Sequence, residues 1–247
     1  MNKFESFLEL HYKDTPFILG NAWNVKSAQI LEQNGYDAIG TSSGAISNSM
    51  GYEDGEKMPF QEVLYFVQRI SASINIPLSV DLERGYTDNL NELTDNIQKL
   101  IDAGVSGINI EDVQGESIYL KKISKIKNYL EKSNQKLFLN ARTDGFLQKA
   151  QSPIETTIKR AKLYKDAGAD GLFVTGVSDA AIIREIATAI ALPLNVVGTP
   201  KLSSFEALSL AGVKRISMAV FLYKATYNQL DKLTKDVKLQ QSFNPLF

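Results

Sequence analysis

The sequence predicts a (β/α)8 barrel of the TIM type, and three observations lead to that fold class. The chain has 247 residues, a length that suits one α/β barrel. Eight short apolar runs alternate with amphipathic stretches of helical period. Four stretches end at a glycine, where a helix closes in a left-handed cap, namely Gly35, Gly104, Gly168 and Gly212. We expect one barrel domain over residues 1–247. A doubly wound sheet with extra helices is the alternative.

The elements follow one another in a regular order along the chain. An amphipathic N-terminal helix comes first, and Pro77 and Pro193 each begin a strand, where a missing amide donor is tolerated. The predicted strands cover residues 17–23, 37–42, 77–83, 107–112, 137–143, 171–175, 193–198 and 215–219. The predicted helices cover residues 25–34, 60–74, 90–103, 119–133, 154–167, 179–190, 203–211 and 220–239.

Composition indicates which class of ligand the protein binds and in which cellular compartment we expect it. The formal net charge is −1 and the charges are dispersed, so we expect no nucleic-acid or membrane partner and favour a small-molecule substrate. The chain has no cysteine, which removes disulfides, thiolate metal sites and a cysteine nucleophile. Residues 1–14 mix charges into their apolar positions and lack a signal-peptide core. These features predict a cytoplasmic protein.

Ionisable residues follow the third, fourth and fifth predicted strands. Asp81 and Glu83 share one strand face, Glu111 ends the next strand, and Arg142 and Asp144 end the one after it. The carboxyl ends of barrel strands meet at one mouth, which is where barrel enzymes place their active sites. We therefore expect these side chains to converge.

Such a cluster needs positive charge. Two carboxylates about 5 Å apart repel by roughly 3 kcal/mol at an effective dielectric constant near 20. All-oxygen ligation favours Mg²⁺, with Mn²⁺ as the alternative, over Zn²⁺. The competing interpretation is a salt-bridge network around Arg142 that holds the barrel mouth together. Asp112 and Asp144 are the members best suited to a structural role.

Small and polar residues after the second strand suggest a substrate site. Thr41-Ser42-Ser43-Gly44 could turn backbone amides towards a ligand oxygen, although an ordinary turn has the same composition. Gly51-Tyr52-Glu53-Asp54-Gly55 is predicted to be a flap that carries Asp54, or else a surface loop. Trp23 lines the pocket or belongs to the core. The only histidine, His11, is predicted to be a surface or packing residue.

Taken in order, these segments resemble the isocitrate lyase and phosphoenolpyruvate mutase superfamily, with a phosphonomutase-like member as the best likeness. The resemblance runs from about residue 17 to residue 227. It is carried by the following motifs: Asn21-Ala22-Trp23, Thr41-Ser42-Ser43-Gly44, Gly51-Tyr52-Glu53-Asp54-Gly55, Asp81-Leu82-Glu83-Arg84-Gly85-Tyr86, Ile110-Glu111-Asp112 and Ala141-Arg142-Thr143-Asp144.

The resemblance implies a metal-bound enolpyruvate-like intermediate and a role for each motif. Asp81 would approach Mg²⁺ while Glu83 and Glu111 hold it through water. Ser42 would contact the substrate carboxylate, and the amides of Ser43 and Gly44 would receive the enolate oxygen. The remaining implied site residues are Arg142, which would stabilise negative charge, Asp54 on the flap, and Trp23 and Thr175 beside the substrate.

Departures from the family pattern rank the activities. The superfamily's lyases carry Lys-Lys-Cys-Gly-His after the fourth strand, where this chain has Val113-Gln114-Gly115-Glu116-Ser117. Its phosphonate-acting members carry a histidine near the end of the sixth strand, where this chain has Thr175. The leading hypothesis is a magnesium-dependent lyase that cleaves or decarboxylates a small α-keto or 2-hydroxy acid. A phosphoenolpyruvate or phosphonopyruvate mutase or hydrolase, and a keto-acid-binding barrel without activity, are the alternatives.

The resemblance also implies a homodimer or homotetramer. In the superfamily the last helix of the barrel is commonly exchanged between subunits. Here that helix would lie near residues 220–239.

Overall fold

Eight parallel strands close into a barrel in sequence order, which confirms the predicted fold class. The computed structural model describes residues 2–202 and 204–247. The strands are β1 (Phe17–Ala22), β2 (Ala38–Thr41), β3 (Leu78–Asp81), β4 (Gly107–Glu111), β5 (Phe138–Thr143), β6 (Gly171–Val174), β7 (Leu194–Val197) and β8 (Val213–Ser217).

Helices surround the barrel and follow the predicted order closely. They are α1 (Lys3–Leu10), α2 (Val25–Gln33), α3 (Ser43–Ser49), α4 (Phe60–Ser71), α5 (Leu90–Asp102), α6 (Glu116–Lys132), α7 (Pro153–Ala167), α8 (Ala180–Ala189), α9 (Phe205–Leu210) and α10 (Phe221–Gln240). The predicted start of α9 at residue 203 lies outside the described residues. A 3-10 turn, Asn244–Leu246, follows α10.

Two local features near the site differ from the predicted elements. Residues 43–49 form α3, a helix that was not predicted, and the Ser42 side chain caps it by accepting from the amide of Ala45 at 3.4 Å. β3 ends at Asp81, two residues early, because Glu83 adopts a left-handed backbone with φ of 49°.

Apolar side chains fill the space between strands and helices and close one end of the barrel. Apolar side chains of the strands pack against the helices in one large cluster that includes Ile39, Val80 and Ile108. Helix α1 closes the amino-terminal end, where Phe7 packs edge-on against Phe138 with ring centroids 5.6 Å apart. The carboxyl-terminal end is left for the polar residues of the site.

His11 belongs to this closure, in agreement with its predicted packing role. Its ring stacks on Phe138 at 4.0 Å, and its Nδ1 lies 2.8 Å from the carbonyl of Phe7. Burial, reinforced by the positive charge of Arg215, lowers the pKa of His11 to about 3.

No helix within the described ranges is long and apolar enough to cross a membrane.

Candidate active site

The register of the sheet brings three predicted site residues to neighbouring strand ends. Asp81 of β3 lies opposite Asn109 of β4, and Glu111 of β4 lies opposite Arg142 of β5. Since all three strands are parallel, Asp81, Glu111 and Arg142 share one mouth of the barrel. The predicted convergence of these three is therefore present.

Asp81 is fixed by residues at the end of β2. The hydroxyl of Ser43 donates to Asp81 Oδ2 at 3.0 Å, and the amide of Asp81 donates to Thr41 Oγ1 at 2.9 Å. Burial raises the pKa of the Asp81 carboxyl, while Arg142 and the Ser43 hydroxyl oppose that shift. The position is thus a partly buried carboxylate held by a neutral donor.

Glu83 is positioned by a turn after β3, and not by the strand alternation that was predicted. Strand alternation no longer applies at this residue, because it follows the end of β3 in a left-handed turn. The hydroxyl of Tyr86 donates to Glu83 Oε1 at 2.8 Å. Burial raises the pKa of Glu83 to about 8, with Asp81 and Asp54 adding to the shift and the Tyr86 hydrogen bond opposing it.

Arg142 is the cation shared by two carboxylates of the site. Its Nη1 lies 2.8 Å from Glu111 Oε2, and its Nε lies 2.8 Å from Asp144 Oδ1. Burial acts to lower the pKa of Arg142, but the bonds to Asp144 and Glu111 outweigh it and the net shift is upward. Burial raises the pKa of Glu111 to about 7 despite Arg142. The competing salt-bridge interpretation therefore describes Glu111 and Asp144.

Thr175 and Asp112 both bond residues at the carboxyl end of β5, with different consequences. The Thr175 hydroxyl donates to Asp144 Oδ1, so this residue supports the acidic partner of Arg142. Asp112 is buried and accepts from Thr143 at 2.9 Å and from Tyr164 at 2.6 Å, and Arg160 lies 3.0 Å away. This saturated environment suits the structural role expected for Asp112.

The start of α3 supplies backbone donors beside Asp81. Ser43 and Gly44 are the first two residues of the helix, so their amides have no acceptor within it. The Asp54 carboxylate lies against this turn, since a Cβ at Gly44 would stand 2.9 Å from Asp54 Oδ2. The predicted flap residue therefore does meet the predicted oxyanion-binding segment.

A cavity of about 490 Å³ opens next to that contact. It is lined by Gly44, Asn48, Gly51, Tyr52, Glu53, Asp54, Val220, Tyr223 and Lys224. Trp23 is not among these residues. Its ring packs on Tyr223 with centroids 5.3 Å apart and is 6% exposed, as expected for a core aromatic, so its role beside the substrate stays a prediction.

Three residues that organise the site were not predicted from the sequence. Tyr86 orients Glu83, Glu56 accepts from the turn that carries both of them, and Tyr223 donates to Asn48 Oδ1 at 2.6 Å across the cavity. Tyr86 lies inside the motif Asp81–Tyr86 and Glu56 directly follows Gly55, so their closeness to recognised motifs could have indicated a role in the site. Tyr223 lies more than 170 residues from Asn48 and had none.

The donor set fits a hard cation. Asp81, Glu83 and Glu111 offer only oxygen, and burial raises the pKa of each, so the charged forms of these carboxyls gain from a cation bound beside them. No three His, Cys, Asp or Glu side chains within residues 2–202 and 204–247 are arranged to ligate one ion together. A site with one direct carboxylate, and others acting through water, does not require such an arrangement.

Fold and site together define an α/β-barrel protein with an acidic, oxygen-rich site at the carboxyl ends of its strands. Residues 7–238 match the family model described as phosphoenolpyruvate phosphomutase. The chain belongs to this family, as the motifs had predicted.

The relatives include lyases and decarboxylases. An uncharacterized protein of Mycobacterium tuberculosis is 34% identical over 221 residues, which are 89% of this chain and 84% of that protein. The oxaloacetate decarboxylase of Pseudomonas fluorescens SBW25 is 28% identical, and the alignment covers 91% of this chain and 82% of that protein. The 2-methylisocitrate lyase of Escherichia coli K12 is 27% identical, and the alignment covers 74% of this chain and 65% of that protein.

Among solved structures, a Burkholderia cenocepacia J2315 protein assigned as a phosphonomutase superposes with a TM-score of 0.90. It is 32% identical and covers 94% of this chain and 99% of its own.

Proposed function

We propose that the protein is a divalent-metal-dependent lyase that breaks a carbon–carbon bond of a small α-keto or 2-hydroxy acid. One arrangement carries the proposal. The Asp81 carboxylate accepts from the Ser43 hydroxyl, beside the amides at the start of α3 that have no acceptor within the helix. Arg142 lies at the end of β5, where it pairs with Glu111 of β4. In this proposal the carboxylates would serve as metal ligands, the amides as oxyanion donors and Arg142 as the cation, all around one mouth of the barrel.

The metal ligands would be Asp81, directly, and Glu83 and Glu111, through water, with Mg²⁺ preferred and Mn²⁺ as the alternative. When bound, the cation acts as a Lewis acid on the substrate's carboxylate and adjacent oxygen. The chain itself holds the three carboxylates in place through Ser43, Tyr86 and Arg142 respectively.

The substrate would be held by neutral donors and one cation. The Ser42 side chain contacts the carboxylate, and the Ser43 and Gly44 amides receive the keto oxygen as it gains negative charge. Arg142 offsets the same charge from a position that its ion pairs with Glu111 and Asp144 fix. Asp54, carried against Gly44, closes the site and Trp23 and Thr175 border it.

Decarboxylation is the carbon–carbon cleavage that needs the fewest protein groups. The bond to the leaving carboxylate breaks, CO₂ departs, and the electron pair forms the enolate, which then takes a proton at carbon. No base has to remove a substrate proton. The loop between β4 and α6 is only residues 112–115 and contains no Lys, Cys or His, so it offers none of the acids that a larger leaving group needs.

Chemistry at a carbon–phosphorus bond is the second candidate. The family model and the Burkholderia cenocepacia protein favour it by name. Against it stands Thr175, a neutral residue whose hydroxyl is already donated to Asp144. A transferring phosphoryl group would gain no positive charge there.

A substrate panel in the presence of Mg²⁺ separates these functions. Oxaloacetate, alkylated malates and citrates, and phosphonopyruvate would be supplied with the protein, while pyruvate, CO₂ and phosphate are measured against protein-free blanks. We expect pyruvate release without phosphate. Phosphate from phosphonopyruvate would establish the second candidate instead. Binding of oxalate with no turnover of any substrate would indicate a keto-acid-binding barrel.

We further propose a homodimer or homotetramer in which α10 packs on a second subunit. Support comes from apolar side chains that α10 leaves exposed, among them Phe221, Leu230 and Leu239. Light scattering after size exclusion should give at least twice the chain mass of 27.4 kDa. A monomer at micromolar concentration would refute this part of the proposal.

A further inference from the structure

Glu56 joins two segments of the site that are separated in sequence. Its Oε1 accepts from the amides of Arg84 and Tyr86, both at 2.8 Å, and its Oε2 accepts from Arg84 Nη2 at 2.7 Å. The Glu56 side chain is only 8% exposed. A single buried carboxylate therefore holds the end of the segment 51–55 against the turn 83–86.

The turn that Glu56 holds has an unusual backbone. Glu83, Gly85 and Tyr86 adopt φ values of 49°, 104° and 60°, so three of four consecutive residues are left-handed. Residues with a Cβ adopt this conformation at a cost and keep it where surrounding bonds fix it. The two amides that Glu56 accepts from lie within this turn, and Lys122 Nζ donates to the carbonyl of Arg84 at 2.7 Å.

The hydrogen bonds of Glu56 link two predicted site residues, Glu83 and Asp54. On one side, Tyr86 donates to Glu83, so the position of the Tyr86 backbone sets the orientation of that carboxylate. On the other side, Glu56 is itself left-handed with φ of 61°, and Asp54, two residues earlier, lies against Gly44.

We propose that Glu56 is a positioning residue that fixes Asp54 and Glu83 in one arrangement through its bonds to the Arg84 and Tyr86 amides. This proposal rests on the proposed function for its catalytic consequence. The essential bonds are those to the two amides, and the ion pair with Arg84, which is 37% exposed, is secondary.

Three variants separate these bonds. Glu56→Ala removes all of them, Glu56→Gln keeps an amide oxygen as acceptor for the two main-chain donors, and Arg84→Gln removes only the ion pair. We expect kcat/KM for the best panel substrate to fall by about 10- to 100-fold in Glu56→Ala, as for partners of metal ligands. Arg84→Gln should lower it by less than about fivefold. Glu56→Gln should lie between them, which also tests the proposal if the alanine variant fails to fold.

A protease measurement tests the same connection without turnover. Lys57 is exposed and adjoins Glu56, so trypsin cleavage after Lys57, followed by mass spectrometry, reports opening of this segment. We expect faster cleavage in Glu56→Ala than in wild type and no change in Arg84→Gln. If no panel substrate reacts, the proposed function fails and this measurement still decides the role of Glu56. Wild-type cleavage and wild-type kcat/KM in Glu56→Ala, or an equal loss in Arg84→Gln, would overturn the inference.

Discussion

At the residue scale, the site is defined by four carboxyl groups around the Arg142 guanidinium, which pairs directly with two of them. Arg142 contacts Glu111 and Asp144, whereas Asp81 and Glu83 are held by the hydroxyls of Ser43 and Tyr86. Neutral donors fix a carboxylate without cancelling its charge. Asp81 and Glu83, whose side-chain hydrogen bonds come from neutral hydroxyls, are therefore the carboxylates that most need an added ion.

Arg142→Lys tests the importance of this guanidinium. A lysine ammonium cannot bond two carboxylates from a planar fork, so the position of positive charge beside the substrate is lost. We expect kcat to fall by about 10²- to 10³-fold, the usual effect of removing a donor to developing negative charge. Steady-state kinetics with the best panel substrate measures this, with Arg184→Lys on the outer surface as the matched control. Equal kcat in both variants would contradict the role.

His11 makes the stability of the protein depend on pH. The pKa of His11 is about 3 in the folded protein and near 6.5 when unfolded, so between these values the unfolded chain binds the extra proton. The contribution is fully present above pH 6.5 and decreases as pH falls towards 3. At pH 5 the loss amounts to about 2 kcal/mol.

The comparison variant is His11→Phe, which keeps a ring on Phe138 and cannot titrate. Chemical unfolding of both proteins at pH 8 and pH 5 measures the effect, and the difference between the proteins cancels the contribution of the site carboxylates. We expect wild type to lose about 2 kcal/mol more than the variant. Since His11 is the only histidine, parallel losses would contradict its buried, neutral state.

At the scale of the elements, glycines set where helices end. Gly35, Gly104, Gly168 and Gly212 all have positive φ, between 79° and 108°, as the sequence pattern predicts. Hydrophobic period and these caps were sufficient to place the eight strands and their helices. Helix α3 and the early end of β3 were not predictable in this way, because a capping serine and a left-handed Glu83 depend on local bonds that have no periodic signal.

Two of these caps provide a matched test. A Cβ at Gly35 meets no atom within 4 Å, whereas a Cβ at Gly168 would lie 2.6 Å from Lys127 Cγ. Gly35→Ala should cost about 1–2 kcal/mol of unfolding free energy through backbone strain alone. Gly168→Ala should cost more, because Lys127 must also move. Urea unfolding measures both, and an equal or smaller loss in Gly168→Ala would show that crowding at Lys127 is negligible.

At the scale of the whole molecule, barrel closure brings together residues that are far apart in sequence. Strand order and the rule that barrel sites lie at carboxyl ends were enough to predict that Asp81, Glu111 and Arg142 converge. The partner of each side chain was not predictable, because it depends on register and rotamer. The motif Asp81–Tyr86 did not reveal that Tyr86 bonds Glu83, and nothing near Asp54 indicated its contact with Gly44.

The central claim is that the acidic mouth of the barrel binds a divalent cation through Asp81. Titration calorimetry of Mg²⁺ into the wild-type protein with oxalate present measures it directly, with Asp95→Asn on the exposed face of α5 as control. We predict one Mg²⁺ per chain in wild type and control, and affinity at least about tenfold weaker in Asp81→Asn. Absence of binding to wild type, or equal affinity in Asp81→Asn, would contradict the claim.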